Sequence, residues 1–293
     1  MLRCGEPLLA YDILSSGAEL LGQASLLLPA EDPVRVVYLQ LQQQRALALA
    51  QSGALQPALK IVRMLLRHDP DNSETAGIYG RICKDVAFTE QDEELRRESL
   101  QEAYNVYYRA YLAAHAAHNA GGAYYNGINA ATLAMLLGLQ DESAALAGAI
   151  KFLCCQELET LAAKNEVAPY WLYSTLGEAE LLTANLDAAA GWYRQAVTGA
   201  QGALRDIASM KKQALLILDK TGLDRSWLEN CFPLPSVLVF SGHMIDRPGR
   251  ETRRFPPDRE PEIRNRIARK LEELNAGIGY ASAACGSDIL FLE

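Results

Sequence analysis

The sequence predicts a mainly α-helical protein, a solenoid of antiparallel helix pairs followed by a partial α/β segment. A small–aromatic–small pattern recurs at the same spacing in two places, and helical apolar stripes continue to about residue 222. After that point two short runs rich in β-branched or small apolar residues flank a helical pattern. We therefore divide the chain into a helical region, residues 1–222, a linker, residues 223–235, and an incomplete α/β segment, residues 236–293.

The composition narrows the classes of function. The chain has 293 residues and a net charge of −8, which argues against general nucleic-acid binding because that requires a positive surface. No apolar run reaches the roughly 18 residues of a membrane span, and residues 1–17 lack a cleavable signal pattern. We expect a cytoplasmic protein whose cysteines are reduced and mostly buried: Cys4, Cys83, Cys154, Cys155, Cys231 and Cys285.

The clearest repeat lies in residues 169–196. Gly177 precedes Ala189 by twelve residues, and Tyr193 and Ala196 then follow at small–aromatic–small spacing. The small residues let two helices approach closely, and Tyr193 fills the space between them. This spacing is typical of a tetratricopeptide (TPR) helix pair, which cannot bury its apolar face alone and needs stacked neighbours.

The neighbours are found earlier in the chain. Helices at about 34–51 and 55–67 place Ala46 and Ala58 at the small positions. A helix at 73–86 carries Gly80, and its partner at 100–117 repeats the small–aromatic–small pattern with Ala103, Tyr107 and Ala110.

The remaining connections and helices complete the predicted array. The polar segment 89–99 between the helices at 73–86 and 100–117 predicts an expanded turn. Residues 119–122, Asn-Ala-Gly-Gly, predict a loop. Further helices are predicted at about 7–28, 124–137, 141–163 and 199–219, the last as a terminal cap.

Residues 236–293 change in character. Ser236 to Gly242 predicts a buried parallel strand, 262–274 a helix, and 278–282 a second strand before a glycine turn and a helix from about 289. This order is the opening of a Rossmann-like α/β domain. Two strands do not form an independently stable parallel sheet, so we expect a fragment, a truncated frame or a partner that completes it.

Two family resemblances follow from these residues. Residues 73–198 resemble the TPR-type TRAFs-binding (central regulatory) region of apoptosis signal-regulating kinases and bacterial relatives, through residues 80–85, 127–129, 170–171, Gly177 and 184–185. This resemblance implies a regulatory, protein-binding platform without chemistry of its own. Residues 236–293 are similar to the start of a SLOG-like domain (DprA/LOG superfamily), through Phe240-Ser241-Gly242 and residues 282–288, which implies nucleotide sensing.

The α/β segment supplies the candidate ligand site. Ser241, Gly242 and His243 end the first predicted strand, where ligands of open α/β sheets bind. The turn Cys285-Gly286-Ser287-Asp288 could present backbone N–H groups to a phosphate. The alternative is that Ser287 or Asp288 caps a helix and that His243 is a plain turn residue. No cofactor is required by the sequence; a nucleotide is a possible ligand.

Other clusters favour structural interpretations. The arginines of the loop at 243–261 alternate with acidic residues, which favours a solvated loop over an anion site: Arg247, Arg250, Arg253, Arg254 and Arg259. His115 and His118 have no third metal ligand in view. Tyr104, Tyr107, Tyr108 and Tyr111 form a band that is mostly core, and its exposed members are expected to line a concave partner surface.

The sequence therefore favours a non-enzymatic TPR-type interaction and regulatory module, the N-terminal part of a bacterial-type signalling protein. A protein partner or an effector domain would lie on the concave helical face. The alternative is a nucleotide-sensing regulator that uses the C-terminal segment; a hydrolase acting on a nucleotide is weaker. No catalytic motif such as GxSxG, HExxH or a P-loop is present in the 293 residues. The sequence does not specify the oligomeric state.

Overall fold

The computed structural model describes residues 7–70 and 72–293, and Cys4 lies outside them. The chain divides into two compact units, Met1–Phe232 and Pro233–Glu293, which we call the helical unit and the α/β unit. None of the helices in the described part of the chain is long and apolar enough to cross a membrane.

The helical unit consists of helices that pack beside their sequential neighbours through most of its length. Its helices are α1 Pro7–Leu21, α2 Pro33–Gln51, α3 Leu55–His68, α4 Ser73–Thr89, α5 Glu93–Ala116, α6 Ala120–Leu137, α7 Gln140–Ala163, α8 Tyr170–Leu182, α9 Leu186–Gly199, α10 Leu204–Thr221 and α11 Leu228–Cys231. Sequential neighbours from α1 to α9 share the largest contacts, as expected of stacked helix pairs, after which α10 packs on α8 and α11 on α9. The predicted α-solenoid is confirmed.

The even-numbered helices form a row of their own. Besides their sequential neighbours, α2 contacts α4, α4 contacts α6, α6 contacts α8, and α8 contacts α10. The described odd-numbered helices α3, α5, α7 and α9 share no comparable contact with one another. In a curved solenoid, the helices that contact the next-but-one helix in the chain lie on the side of smaller radius. We call α2, α4, α6, α8 and α10 the inner helices, and the surface they expose the inner face.

Close backbone approach occurs where small residues meet aromatic ones. A Cβ atom placed on Gly80 would lie 2.5 Å from the Tyr107 ring, and one on Gly177 would lie 3.0 Å from the Tyr193 ring. The alanines predicted at small positions are almost completely buried: Ala46, Ala58, Ala103, Ala110, Ala189 and Ala196. Any larger side chain at these points would separate the helices of a pair.

Two predicted loops are instead the first turns of helices. Helix α5 begins at Glu93, because Asp92 accepts backbone N–H bonds from Glu94 and Leu95 and caps it. The expanded turn predicted at 89–99 is therefore wrong. The loop predicted at 119–122 is also wrong, since Asn119 accepts the N–H of Gly122 and caps α6, which starts at Ala120.

One end of each of two other helices is set by residues with a positive φ angle. The helix predicted over 7–28 ends at Leu21, because Gly22 has φ +75°; the 3-10 helix Gln23–Leu27 follows. The capping helix predicted at 199–219 begins only at Leu204, since Gln201 and Gly202 both have positive φ.

The segment predicted as a linker, residues 223–235, is partly folded onto the solenoid. It contains α11, and Leu228, Cys231 and Phe232 are buried. The ring centroids of Phe232 and Tyr193 are 5.1 Å apart. The apolar surface that α9 leaves open is covered in this way, so the helical unit extends to Phe232.

The α/β unit contains a two-stranded parallel sheet. Strands β1 Ser236–Phe240 and β2 Ala276–Ala281 pair in parallel, with Val239 opposite Tyr280. The 3-10 helix Pro257–Arg259, α12 Glu260–Glu273 and α13 Ser287–Leu292 complete the unit. The parallel pairing agrees with the prediction, but the described residues form only these two strands, so a Rossmann-like sheet is not confirmed.

The prediction that β1 is buried is wrong for one of its faces. Val239 is 85% exposed and Tyr280, its partner across the sheet, is 60% exposed. The opposite face is covered, because Phe291 of α13 stacks on Phe240 at 4.7 Å. With helices on one side only, alternate residues of each strand face outward.

Candidate functional site

The structure brings the two halves of the predicted ligand site together. The N–H of Gly242 donates a hydrogen bond to Asp288 Oδ1 at 2.9 Å, and the Ser282 hydroxyl donates to Asp288 Oδ2. Asp288 is 2% exposed. The Ser282 and Gly242 hydrogen bonds lower the pKa of Asp288 below its ordinary value, because they stabilise the carboxylate.

Ser287 makes a second link between the same segments. Its N–H and its hydroxyl both donate to the His243 carbonyl oxygen, at 3.1 and 3.0 Å. The N–H of Ile245 donates to the Cys285 carbonyl oxygen at 3.1 Å. Gly286 has φ +140°, and a Cβ atom there would lie 2.4 Å from the His243 carbonyl oxygen, so only glycine fits.

These bonds change the expected role of the turn. Gly286 is the N-cap position of α13, and no side chain caps that helix, so the expectation that Ser287 or Asp288 caps it is wrong. The N–H groups of Gly242 and Ser287 are engaged within the chain rather than directed at an open site. The side chains of Asp288 and Ser287 therefore connect the turn at residues 285–288 to the segment that follows β1.

Part of this cluster borders a groove. Gly242, His243 and Ser287 line one side of a space of about 730 Å³ between β1 and α12. Ser241 and Cys285 are exposed. Of the predicted site residues, three therefore face a common space, while Asp288 is enclosed behind them.

The arginine-rich loop before α12 is ordered around a buried carboxylate. Asp246 accepts the N–H groups of Arg254 and Phe255 at 2.8 and 3.0 Å and pairs with Arg250 at 3.1 Å. Phe255 is almost completely buried. Arg259 pairs instead with Glu262 in the first turn of α12. The five predicted arginines are all exposed: Arg247, Arg250, Arg253, Arg254 and Arg259.

A second polar cluster lies on the inner helices and was missed from sequence. Glu178 of α8 accepts hydrogen bonds from the Thr132 hydroxyl of α6 at 2.6 Å and from Gln213 Nε2 of α10 at 2.8 Å. Lys84 Nζ of α4 donates to Gln213 Oε1 at 3.5 Å. These residues are far apart in sequence, so no local spacing could reveal the cluster.

Burial sets the electrostatics of this cluster. Desolvation raises the pKa of Glu178, an effect that its hydrogen bonds and the charge of Lys84 oppose. Desolvation likewise lowers the pKa of Lys84, against the attraction of Glu178. Both shifts follow from the confined position of the cluster between inner helices.

The predicted tyrosine band lies on the other side of the solenoid. Tyr104, Tyr107, Tyr108 and Tyr111 belong to α5, which is not an inner helix. Tyr104 and Tyr108 stack at 5.6 Å, and the Tyr104 hydroxyl donates to Glu142 of α7. The expectation that this band lines the concave surface is wrong. The exposed aromatic residues of the inner helices are Phe88, Tyr125 and Trp171.

The two histidines of α5 and its following turn have different surroundings. His115 packs against Tyr111 with centroids 5.9 Å apart, and His118 lies in the turn with φ +54°. Across the described ranges 7–70 and 72–293, no group of three or more His, Cys, Asp or Glu residues is placed to hold a metal ion.

Comparison with known proteins identifies part of the helical unit. Residues 17–134 match the family model TPR-S, described as Tetratricopeptide Repeats-Sensor. The chain contains a TPR-type repeat region. Among solved structures, the chain is similar to a thermophilic TPR protein of Thermus thermophilus, at 20% identity and a TM-score of 0.44, over 73% of this chain and 97% of that one. No curated protein matches the chain.

Proposed function

We propose that the helical unit is a non-enzymatic protein-interaction module that binds a segment of a partner protein, or an effector domain, on its inner face. The TPR-type repeats carry this proposal, because stacked helix pairs present a continuous surface along one row of helices.

The residues exposed on the inner helices fit such a partner. Arg81 and Phe88 are exposed on α4, Tyr125 on α6 and Trp171 on α8. Aromatic residues and arginine are enriched at the centres of protein interfaces.

Cross-linking tests the proposed surface. A photoreactive phenylalanine analogue is placed at Tyr125 on the inner face and, as the matched control, at Tyr108 on α5. Cross-linked partners from cells that express the full chain are identified by mass spectrometry. The proposal expects a partner that cross-links at position 125 and not at position 108. The cross-link at 125 should be lost in Arg81→Glu. It should remain in Arg109→Glu, which changes an exposed arginine on α5. The opposite pattern would place binding on α5 instead of the inner face.

A signalling role is the finer part of this proposal. It is supported by the resemblance of residues 73–198 to the TRAFs-binding regulatory region and by the word "Sensor" in the description of the matching family model. In this role the module would be part of a cytoplasmic, bacterial-type signalling protein.

A second candidate is nucleotide sensing by the α/β unit. The observation that favours it is the approach of Ser241–His243 to Cys285–Asp288, beside a groove at the carboxyl end of β1. A thermal-shift screen of the full chain against nucleotides tests it, because a ligand that binds the folded state raises Tm. His243→Ala is expected to remove the shift. A shift that persists in His243→Ala would place the nucleotide elsewhere.

A further inference from the structure

Helix α12 leaves its apolar stripe incompletely covered. Ile263, Ile267 and Leu271 recur at every fourth position on one face of the helix. Each is only partly buried, and none of the residues of α12 is fully buried. An amphipathic helix in a folded unit normally buries such a stripe against the core. Here the stripe instead forms one wall of the groove of about 730 Å³.

The opposite wall and the floor of the groove are also apolar. Leu238 and Phe240 of β1 face the stripe, and the floor includes Phe255 and Phe291. These two phenylalanines are 1% and 8% exposed, so the floor is fixed by packing. The volume lies within the range of about 300–1,000 Å³ that is usual for small-molecule sites.

The charged residues around this groove are predominantly cationic, although the chain carries a net charge of −8. Arg254, Arg266, Arg269 and Lys270 line it, with Glu273 as the acidic member. Lys270 pairs with Glu273 at 2.9 Å, and Arg266 approaches Glu262 only to 3.9 Å. Arg254 and Arg269 form no ion pair with any residue in the described ranges. Guanidinium groups without an ion pair, beside an apolar wall, favour an anion with an apolar body.

We propose that this groove between β1 and α12 is a binding site for a small amphipathic anion, an aliphatic or aromatic body that carries one carboxylate or phosphate group. The body lies on Ile263, Ile267 and Phe255, and the anionic group is held by Arg254 and Arg269. This proposal competes with the nucleotide candidate for the same groove: an apolar body would use Ile263 and Ile267, whereas a nucleotide would use the end lined by Gly242, His243 and Ser287. The proposal is independent of partner binding by the helical unit.

Calorimetric titration of the full chain with dodecanoate, kept below its critical micelle concentration, tests the site. Dodecyltrimethylammonium, with the same chain and the opposite charge, is the first control, and AMP is the second. Dodecanoate is expected to bind at one site at least about tenfold more tightly than either, since one ionic hydrogen bond corresponds to that factor or more. No binding of dodecanoate, equal binding of the cation, or tighter binding of AMP overturns the proposal.

Two double variants locate the site. Arg254→Gln with Arg269→Gln is expected to weaken dodecanoate binding by about tenfold or more. Arg247→Gln with Arg253→Gln removes the same charge from exposed positions that do not line the groove, and is expected to leave binding within about twofold. Equal losses in both pairs would show that only net charge matters.

Ile267→Glu, which places a negative charge on the wall, should abolish binding while far-UV circular dichroism stays unchanged. Retained binding would show that the ligand lies outside the groove.

Discussion

The ring of Tyr107 on α5 lies directly against the backbone of Gly80 on α4, so close that a Cβ atom on Gly80 would be 2.5 Å from the ring. Tyr107 is 1% exposed, so the ring is enclosed by the protein interior. The α4–α5 pair therefore depends on the absence of a side chain at one position. The Gly177–Tyr193 pair repeats the relationship between α8 and α9 with a looser separation of 3.0 Å.

Gly80→Ala should destabilise the helical unit more than Gly177→Ala does. The expected cost for Gly80→Ala is about 1–3 kcal/mol, because the ring must shift in a packed core. Gly148 is the matched control, since it is exposed on α7 with open space around it. Gly148→Ala should stabilise the chain by about 0.5–1 kcal/mol through helix propensity. Urea denaturation measures all three, and equal effects at positions 80 and 148 would contradict the packing argument.

Tyr193→Phe should be neutral or stabilising. The Tyr193 hydroxyl is buried and finds no hydrogen-bond partner among the described residues. Its removal relieves a desolvation cost, and we expect a gain of about 1 kcal/mol. Tyr104→Phe is the control, because it removes the hydrogen bond to Glu142 and should not stabilise. A loss of stability in Tyr193→Phe, measured by thermal unfolding, would show that the hydroxyl has a partner in solution.

Phe232→Ala should destabilise the helical unit although residue 232 lies beyond the TPR-type helix pairs. Phe232 is 1% exposed and packs on Tyr193, so its truncation should cost about 3–5 kcal/mol. Phe88→Ala, at a residue 44% exposed on α4, should cost about 1 kcal/mol or less. If both variants melt at the temperature of the unchanged chain, residues 223–232 act as a linker after all.

The helix pairs could be predicted because their determinants are local. Apolar periodicity locates each helix, and a glycine or alanine opposite a tyrosine marks where two of them meet. Helix ends were predicted less well. The cap formed by Asp92 extends α5 by about two turns, through residues whose polarity alone resembles that of a loop. Asn119 does the same for α6 despite two glycines in its first turn.

The functional surfaces depend on contacts between distant residues. Thr132, Glu178 and Gln213 meet only because α6, α8 and α10 stack as inner helices. Gly242 and Asp288 also meet only in the fold, where the Gly242 N–H donates to the Asp288 carboxylate. Neither relationship leaves a spacing signal in the sequence, since each joins segments that the fold alone brings together.

Glu178→Gln should change how stability depends on pH. Burial raises the pKa of Glu178 above its ordinary 4.5, so the folded chain holds this proton more tightly than the unfolded chain. The contribution of Glu178 to stability is therefore fully present below pH 4.5 and is lost as the pH rises through the folded pKa. Glutamine is uncharged throughout and still accepts the bond from Thr132.

The stability gain of Glu178→Gln over the unchanged chain, measured by urea denaturation, should therefore grow as the pH rises above 4.5. Lys84→Gln provides the control, because the charge of Lys84 opposes the upward shift of the Glu178 pKa. Its removal should extend the loss of stability to higher pH. Parallel pH profiles for all three chains would show that Glu178 titrates normally.

Asp288→Ala should loosen the α/β unit rather than act only on a ligand. The carboxylate of Asp288 joins Gly242 and Ser282, so its removal leaves the Gly242 N–H without its acceptor and frees the end of β1. Hydrogen–deuterium exchange should be about tenfold faster or more at β1 and α13, with the amides of the helical unit as an internal reference.

Asp288→Asn keeps an acceptor for Gly242 and should have a smaller effect. Asp258→Ala, at an exposed residue of the same unit, should have none. Unchanged exchange in Asp288→Ala together with a lost nucleotide-induced thermal shift would instead assign Asp288 to ligand binding.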